Sequence, residues 1–339
     1  MGLYCGVDLH SNNAVYAVLD EKDRRVFRKR LPNDLPTVLE ALAPFKSKLK
    51  AVAVESTYNW YWLVDGLQEN GYRVRLANPA AMEQYDGLKD ANDDTDAAFL
   101  ARMLRLGILP EGYIYPKEDR PVRDLLRRRM LLVQTRTSIE LSLRSLVTRH
   151  TGKDPSWRCV RQRVPPDLRH MLGGDEVLVF TVEQQMGLIR FLSEKIHLFE
   201  QQVLERAQLK PEYKLLLTIP GVGLILALTI MLETGDINRF PGVPNYTSYC
   251  RAARAKRWTN GKCKGDNNSK CGNAYLSWAF VEAVHHAIRC CAPAREFYQR
   301  KSAKRNGALA TKALASKWTK AAFYVMKRQE PFDLKRVFG

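Results

Sequence analysis

The first eighty residues alternate short apolar runs with polar turns, and this order restricts the chain to few folds. The runs Leu3–Leu9, Ala14–Leu19 and Arg24–Leu31 are separated by only four residues each. Such tight connections predict three antiparallel strands in a meander. Two more β-like runs, Lys50–Glu55 and Tyr72–Ala77, follow with helical segments before and between them. They predict parallel strands with crossover helices, so we expect a mixed sheet of five strands.

The overall charge narrows the class of partner. The 339 residues include 54 Lys and Arg against 36 Asp and Glu, which gives a formal net charge of +18. A positive excess of this size indicates a polyanionic partner, with nucleic acid favoured over an anionic membrane surface. No apolar run reaches the roughly 18 residues that a spanning helix needs, and the N-terminus lacks a signal-peptide pattern. We therefore predict a cytoplasmic protein with no membrane association.

A cluster of acids stands out in this basic chain. Asp90, Asp93, Asp94 and Asp96 fall within seven positions, and apolar residues then recur with helical spacing. One interpretation is helix capping, because acids complement the positive end of a helix dipole. The other is a carboxylate cluster that binds a divalent cation. Other carboxylates, placed where the fold could bring them together, are needed to decide between the two.

Two such carboxylates lie on predicted strands. Asp8 is within the apolar first strand, and Glu55 ends the fourth strand at its carboxyl edge, where ligands gather in α/β sheets. A three-strand meander with parallel strands and crossover helices is the ribonuclease H-like arrangement. In that arrangement Asp8, Glu55, Asp93 and Asp96 form a D-E-D-D set able to hold two Mg²⁺ ions about 3.5–4 Å apart.

The middle of the chain predicts long helices. Residues 121–150 form a basic helical run in which Leu125, Leu132, Ile139 and Leu146 recur every seven positions. This repeat indicates a coiled coil or helical hairpin, or else a core helix with a solvated basic face. Residues 176–209 predict a second long helix, which could pair with the first or with a second subunit.

The last third of the chain contains two features suited to phosphate binding. Apolar segments flank the turn Pro220-Gly-Val-Gly223, a helix-hairpin-helix pattern in which Gly221 and Gly223 let the backbone approach a phosphate; a packing hairpin is the alternative. Residues 250–272 are loop-like and basic, which suits a phosphate backbone, although a solvated loop is also possible. The predicted basic contacts are Arg254, Lys256, Arg257, Lys262 and Lys264.

Together these motifs resemble a known family over essentially the whole chain. The acids at 8, 55, 93 and 96, the Ile219–Gly223 turn, Thr259-Asn-Gly-Lys262 and Gly272-Asn-Ala-Tyr-Leu276 are similar to the DEDD-type transposases of the insertion-sequence 110 family, relatives of the Piv-type DNA invertases. The resemblance implies an N-terminal RuvC-like domain that binds Mg²⁺, for which Mn²⁺ can substitute. It further implies donor and target DNA as substrates, a noncoding bridge RNA as guide, and a dimer or dimer of dimers.

The resemblance also implies a hydroxyl nucleophile that becomes covalently joined to a DNA phosphate. The family typically has a serine at the position that Thr259 occupies here. Threonine carries the same hydroxyl, but its methyl group adds crowding. Ser269, or a weakened copy of the enzyme, are the alternatives that the sequence leaves open.

The predicted organisation has three parts: a RuvC-like catalytic domain over residues 1–116, a basic coiled-coil region over 117–209, and a mainly α C-terminal domain with a helix-hairpin-helix over 210–339. Two other functions are compatible with parts of the pattern. One is a RuvC-like Holliday-junction resolvase or metal-dependent nuclease that uses water. The other is a non-enzymatic nucleic-acid-binding protein whose acids are helix caps.

Overall fold

The computed structural model describes residues 2–82, 93–153, 168–207, 210–253, 256–259, 261–266 and 271–339. For residues 93–95, 168, 171, 256–259 and 263–266 it describes the backbone alone. The chain divides into two compact units, Met1–Lys117 and Glu118–Gly339. The predicted three-part division into 1–116, 117–209 and 210–339 stays a prediction.

The first unit is built on a five-stranded mixed sheet in the order β3-β2-β1-β4-β5. Strands β1, β2 and β3 are antiparallel, whereas β4 and β5 run parallel to β1. The mixed sheet predicted from the sequence is therefore confirmed. The strands are β1 (Leu3–Leu9), β2 (Asn13–Leu19), β3 (Arg25–Pro32), β4 (Leu49–Glu55) and β5 (Val74–Ala77).

Both faces of this sheet are covered. The helices of the unit are α1 (Leu35–Leu42), α2 (Tyr61–Glu69), α3 (Pro79–Met82) and α4 (Asp93–Leu106). Apolar side chains of α1 and α2 pack with Cys5, Val7 and Leu9 on one face of β1. On the other face, Ala97 of α4 packs against Val15 and Ala17 of β2. Successive strand residues point to opposite faces, which is why a nearly continuous apolar run fits β1.

The second unit is mostly helical. Its helices are α5 (Arg120–Thr151), α6 (Leu168–Met171), α7 (Glu176–Arg206), α8 (Pro211–Leu216), α9 (Leu224–Thr234), α10 (Val243–Tyr249), α11 (Ala274–Cys290), α12 (Ala292–Lys304), α13 (Gly307–Arg328) and α14 (Leu334–Phe338). A two-stranded hairpin, β6 (Lys256–Thr259) and β7 (Lys262–Asp266), lies between α10 and α11. Of the described helices, none is long and apolar enough to cross a bilayer.

Helices α5 and α7 form an antiparallel hairpin. The Arg129 Nε donates to Glu200 at 2.9 Å, and the Arg136 guanidinium donates to Ser193 Oγ at 3.1 Å, so α7 returns along α5. The predicted heptad residues are half-buried, and two of them, Ile139 and Leu146, pack against the apolar core of this hairpin. Buried positions on α5 include Leu126 and Val147, one residue further along. An α-helix drifts against a seven-residue repeat, which moves the packed face.

The turn predicted as a helix-hairpin-helix joins α8 to α9. Helix α8 has six residues and α9 has eleven, and residues 217–223 connect them. Both helices contribute to the large apolar core of the second unit, which also includes α11 and α13. The helix-hairpin-helix assignment itself stays a prediction.

Candidate catalytic and nucleic-acid-binding sites

The register of β1 and β4 places two of the predicted acids side by side. The parallel pairing continues to Val7 opposite Val54, and Asp8 and Glu55 are the next residue on each strand. Both therefore lie at the carboxyl edge of the sheet and on the same face of it. Asp8 is 5% exposed, and Glu55 is half-buried.

Helix α4 brings the acidic segment to the same edge. An added side chain at Gly6 would overlap the backbone of Ala97 and Ala101, so α4 lies directly on β1. Further along α4, Arg105 Nε donates to Asp23 Oδ1 at 2.8 Å. Asp23 belongs to the β2–β3 turn at the opposite edge of the sheet. Helix α4 thus runs antiparallel to β1, and its first turn lies at the edge that carries Asp8.

Asp93 and Asp96 both belong to that first turn. Asp96 is half-buried, and its Oδ1 atom is inaccessible to solvent. The side chain of Asp93 lies outside the described residues. The predicted D-E-D-D set is therefore brought to one edge by backbone placement, with three of the four side chains described.

The chemistry of this set fits a hard divalent cation, because Mg²⁺ prefers carboxylate oxygens. Among the side chains that the structure describes, no three Asp, Glu, His or Cys residues gather closely enough to hold a metal ion by themselves. The side chain of Asp93 is not among these described side chains.

His10 was not predicted as a site residue, and it touches Asp8. Its Nε2 lies 3.3 Å from Asp8 Oδ2. The backbone around it is held in place because Asn33 and Asn59 each donate an amide hydrogen bond to His10 O, at 3.1 and 2.9 Å. A histidine two residues after a strand acid is the signal that could have identified it.

The predicted nucleophile lies beside the turn of the β6–β7 hairpin. Thr259 pairs with Lys262, so both flank the turn. Gly261 within it has φ 70°, a left-handed conformation that favours glycine. Lys262 is exposed, whereas Lys256, Arg257 and Lys264 are described by their backbone only. Arg254 and Ser269 lie outside the described residues.

Hydrogen bonds join the two chain segments that flank the hairpin, one ending at Arg251 and the other beginning at Cys271, and we call this joined part the neck. Arg251 has φ 55°, and its Nε donates to Cys271 O at 3.1 Å, while its Nη2 donates to Gly272 O at 3.0 Å. The Asn273 N–H donates to Tyr249 O at 2.6 Å. Residues on either side of the 254–270 segment are thus tied together.

A buried carboxylate anchors this neck. Glu233 is 1% exposed and accepts hydrogen bonds from Arg127 Nε at 2.6 Å, Arg123 Nε at 3.1 Å and Asn273 Nδ2 at 2.7 Å. Burial alone would raise the pKa of Glu233. The Arg127 hydrogen bond and the charges of both arginines outweigh burial, so this pKa lies below its ordinary value. Asn273 also caps α11 by accepting from the Tyr275 N–H.

Sequence reasoning missed this network, although a signal was present. Glu233 is the only charged residue of α9, in an otherwise apolar stretch. A charge in such a helix requires a partner. Arg123 and Arg127, which the sequence presents as part of a basic helix, are those partners.

The two glycines predicted to approach phosphate have different surroundings. An added side chain at Gly221 would overlap the backbone of Ala283 and Ala287, so Gly221 is needed for packing against α11. At Gly223, the residue before α9, an added side chain would meet open space. Both line a cleft of about 900 Å³ beside α5. Of the pair, Gly223 has the backbone open to a ligand.

Comparison with known proteins identifies the class. Residues 5–151 match the model of the DEDD transposases of IS110, described as "Transposase", and residues 213–299 match the "Transposase IS116/IS110/IS902 family". A curated protein of Sinorhizobium fredii (strain NBRC 101917 / NGR234), named "Putative transposase y4qE", is 25% identical over 233 residues. That alignment covers 67% of this chain and 55% of the relative.

The sheet with its acidic edge and most of the helical unit with its basic hairpin thus lie in segments that match transposase families. The chain is a member of the IS110 transposase family. The resemblance that the sequence motifs indicated is confirmed.

Proposed function

We propose that this protein is a DNA recombinase that cuts and rejoins strands through a covalent phosphothreonine at Thr259. One observation carries the proposal: Asp8 and Glu55 end neighbouring parallel strands at the edge where α4 begins with Asp93 and Asp96. Asp8, Glu55, Asp93 and Asp96 are the residues that would hold Mg²⁺. When bound, the metal would stabilise negative charge that develops on the phosphate.

In the proposed step the Thr259 hydroxyl oxygen gives up its proton and forms a bond to the phosphorus. The bond from phosphorus to one deoxyribose oxygen breaks, and that oxygen takes up a proton. Rejoining is the reverse reaction: a deoxyribose hydroxyl attacks the phosphothreonine, and the Thr259 hydroxyl leaves. No phosphodiester bond is lost overall. The closed neck at Arg251 supports this role because a nucleophile must be held in a defined position.

Basic residues of the same hairpin region would bind the DNA backbone. Arg254, Lys256, Arg257, Lys262 and Lys264 surround Thr259 in the sequence. We assign them to phosphate contacts, which position the strand without reading its sequence. The open backbone at Gly223 is a further phosphate contact, because the first N–H groups of α9 point outward from the helix.

The proposed assembly includes a noncoding bridge RNA and more than one subunit. The charge of +18 supports a second nucleic acid beside the DNA. Helix α7 supports oligomerisation because an apolar stripe lies opposite the face that packs on α5. The stripe consists of Val177, Phe180, Leu188, Phe191 and Leu198, each at least 44% exposed.

A covalent-trapping experiment tests the proposal. Purified protein is incubated with labelled element-junction DNA and Mg²⁺, then separated on a denaturing gel. We expect a protein–DNA adduct in the wild type and in Ser269→Ala, and none in Thr259→Ala. An adduct lost only in Ser269→Ala would move the nucleophile to Ser269. Cleavage without any adduct would instead support a RuvC-like resolvase or nuclease that uses water.

A further inference from the structure

Helix α13 and the segment after it enclose a pocket of about 360 Å³. This volume is within the range of small-ligand sites. The pocket is separate from the residues of the proposed reaction. Its walls include four cations and two aromatic rings: Lys317, Lys320, Tyr324, Arg328, Phe332 and Arg336.

The positive charges of this pocket are only partly compensated. Its two carboxylates, Glu330 and Asp333, both pair with Arg336, at 2.9 and 3.4 Å. No carboxylate of the described residues forms an ion pair with Lys320 or Arg328. Four cations against two carboxylates leave an excess of two positive charges in the pocket.

Lys317 is one of the four cations that line the pocket. Its Nζ donates to Val337 O at 2.6 Å, which fixes the ammonium group at the pocket wall. Burial, and then the charges of Lys320, Arg300 and Lys301, lower the pKa of Lys317. The cations therefore repel one another, and an anion bound among them would relieve that repulsion.

The aromatic side chains provide flat surfaces next to these charges. Tyr324 is 44% exposed, and the Arg328 guanidinium lies 4.6 Å from the centre of its ring. Phe332 is held by its backbone N–H, which donates to Thr218 Oγ1 at 2.8 Å, and its ring lies 5.7 Å from that of Trp318. Exposed aromatic rings and guanidinium planes are the surfaces on which unpaired bases stack.

We infer that this pocket binds one unpaired nucleotide of a single-stranded nucleic acid. The base stacks on Tyr324 and Arg328, and the phosphate lies by Lys317 and Lys320. A base inside a duplex is already stacked and paired, so a duplex would not use the pocket. This inference rests on the proposed function in one respect, namely that the partner is a nucleic acid.

Binding of labelled single strands to the full-length protein tests the inference. The probes are single-stranded RNA and DNA of about 12 nucleotides, and the matching DNA duplex, measured by fluorescence anisotropy at one salt concentration. Tyr324→Ala and Arg328→Ala should each weaken single-strand binding about tenfold, because one stacked base is lost. Tyr324→Phe keeps the ring and should bind like the wild type.

Lys327→Ala is the matched control for charge. Lys327 precedes Arg328 on α13, but its ammonium group donates a hydrogen bond to Asn238, which lies outside the pocket. Lys327→Ala therefore removes one positive charge, as Arg328→Ala does, and it should change binding less than twofold. The inference would be overturned if Lys327→Ala and Arg328→Ala weakened single-strand binding equally. It would also be overturned if Arg328→Ala weakened binding of the duplex as much as binding of the single strands. If the pocket variants weaken binding of the RNA probe alone, the bound nucleotide belongs to RNA. If they weaken binding of both single strands, the pocket accepts a nucleotide of either RNA or DNA.

Two further measurements keep the result interpretable. Arg328 is exposed, so Arg328→Ala should fold normally, and thermal melting of each variant checks this. Thr259→Ala should bind all three probes like the wild type, because it removes the proposed nucleophile alone. Failure of the pocket inference therefore leaves the adduct experiment unaffected, and failure of the adduct experiment leaves this one unaffected.

Discussion

Asp8 and Glu233 are both buried carboxylates, yet their surroundings differ in charge. Glu233 is enclosed by the guanidinium groups of Arg123 and Arg127 and by the Asn273 amide. Asp8 contacts the His10 imidazole and lies beside Glu55, at an edge that receives further acids from α4. Protein cations therefore neutralise Glu233, whereas the acids around Asp8 suit an added cation.

This difference shows what a buried acid indicates. Burial by itself marks a group that must be compensated, and the compensation distinguishes a structural acid from a functional one. A carboxylate already held by two arginines contributes to the fold of its unit. A carboxylate that lies among other carboxylates is suited to binding a cation.

The largest expected effect is on catalysis by Asp8→Asn. This change keeps the shape of the side chain but removes one charge from the proposed metal site. We expect strand cleavage to fall by at least about 1000-fold, because metal stabilisation of the phosphate is worth several kcal/mol. Cleavage of labelled junction DNA at several Mg²⁺ concentrations measures it.

The control for this variant is Asp20→Asn, at the residue that follows β2 in the same unit. Asp20 is also buried, but it accepts hydrogen bonds from the backbone N–H groups of Lys22 and Arg24, both in the β2–β3 turn. Its loss should lower stability and leave the Mg²⁺ dependence unchanged. Normal cleavage by Asp8→Asn would contradict the metal assignment.

The next effect is on stability. Glu233→Ala leaves two guanidinium groups without their carboxylate, one of them buried at Arg123. Removal of one partner from a buried ion pair costs about 3–5 kcal/mol. Urea unfolding of the full chain, followed by tryptophan fluorescence, should show the second unit unfolding at lower urea. A loss of less than about 1 kcal/mol in the free energy of unfolding would show that Glu233 contributes no more than an ordinary surface residue.

The loss of stability at acid pH should also depend on Glu233. The pKa of Glu233 is lower in the folded state than in the unfolded state. Its contribution to the free energy of unfolding is therefore present above the unfolded-state pKa and is lost as the pH falls through the folded-state pKa. The wild type should lose stability below about pH 4.5, whereas Glu233→Gln, already less stable, should show a shallower loss there. Urea midpoints between neutral pH and pH 3 compare the two proteins. Parallel curves would show that Glu233 does not titrate in this range.

The smallest effect concerns the neck of the hairpin. Asn273→Ala removes the cap of α11 and the hydrogen bond to Glu233 and should cost about 1–2 kcal/mol. Asn273→Ser can keep the cap while it loses the bond to Glu233, so its stability should lie between those of the wild type and Asn273→Ala. Thermal melting ranks the three proteins. Identical melting of Asn273→Ser and Asn273→Ala would show that the cap contributes nothing.

Much of the first unit could be predicted from the sequence because its signals are local. Each strand is a short apolar run with a turn at its end, and helix α4 follows from apolar spacing after Asp93. Asp8 and Glu55 could be singled out because each acid lies within or at the end of an apolar strand. Their adjacency follows from strand order, since parallel neighbours end at one edge.

The central helices show where local signals were insufficient. The heptad repeat predicts the existence of α5 and a partner for it, and Ile139 and Leu146 do pack against the α5–α7 core, but the buried positions of α5 there, Leu143 and Val147, lie outside the repeat. Which face is buried depends on how α5 and α7 cross, and sequence spacing alone does not fix that geometry. Gly221 is similar, because its packing against α11 involves Ala283 and Ala287, which are distant in the sequence.

The sequence by itself determined the succession of strands and helices in the first unit, the candidate acids, the basic excess and the family motifs, because these depend on residue type and on neighbours along the chain. The tertiary structure decided which charges remain available. Arg123 and Arg127 belong to a basic helix in the sequence, but in the fold they neutralise Glu233, about 110 residues away. Coulomb interactions act through space, so only the folded chain shows which cations its own acids have already bound.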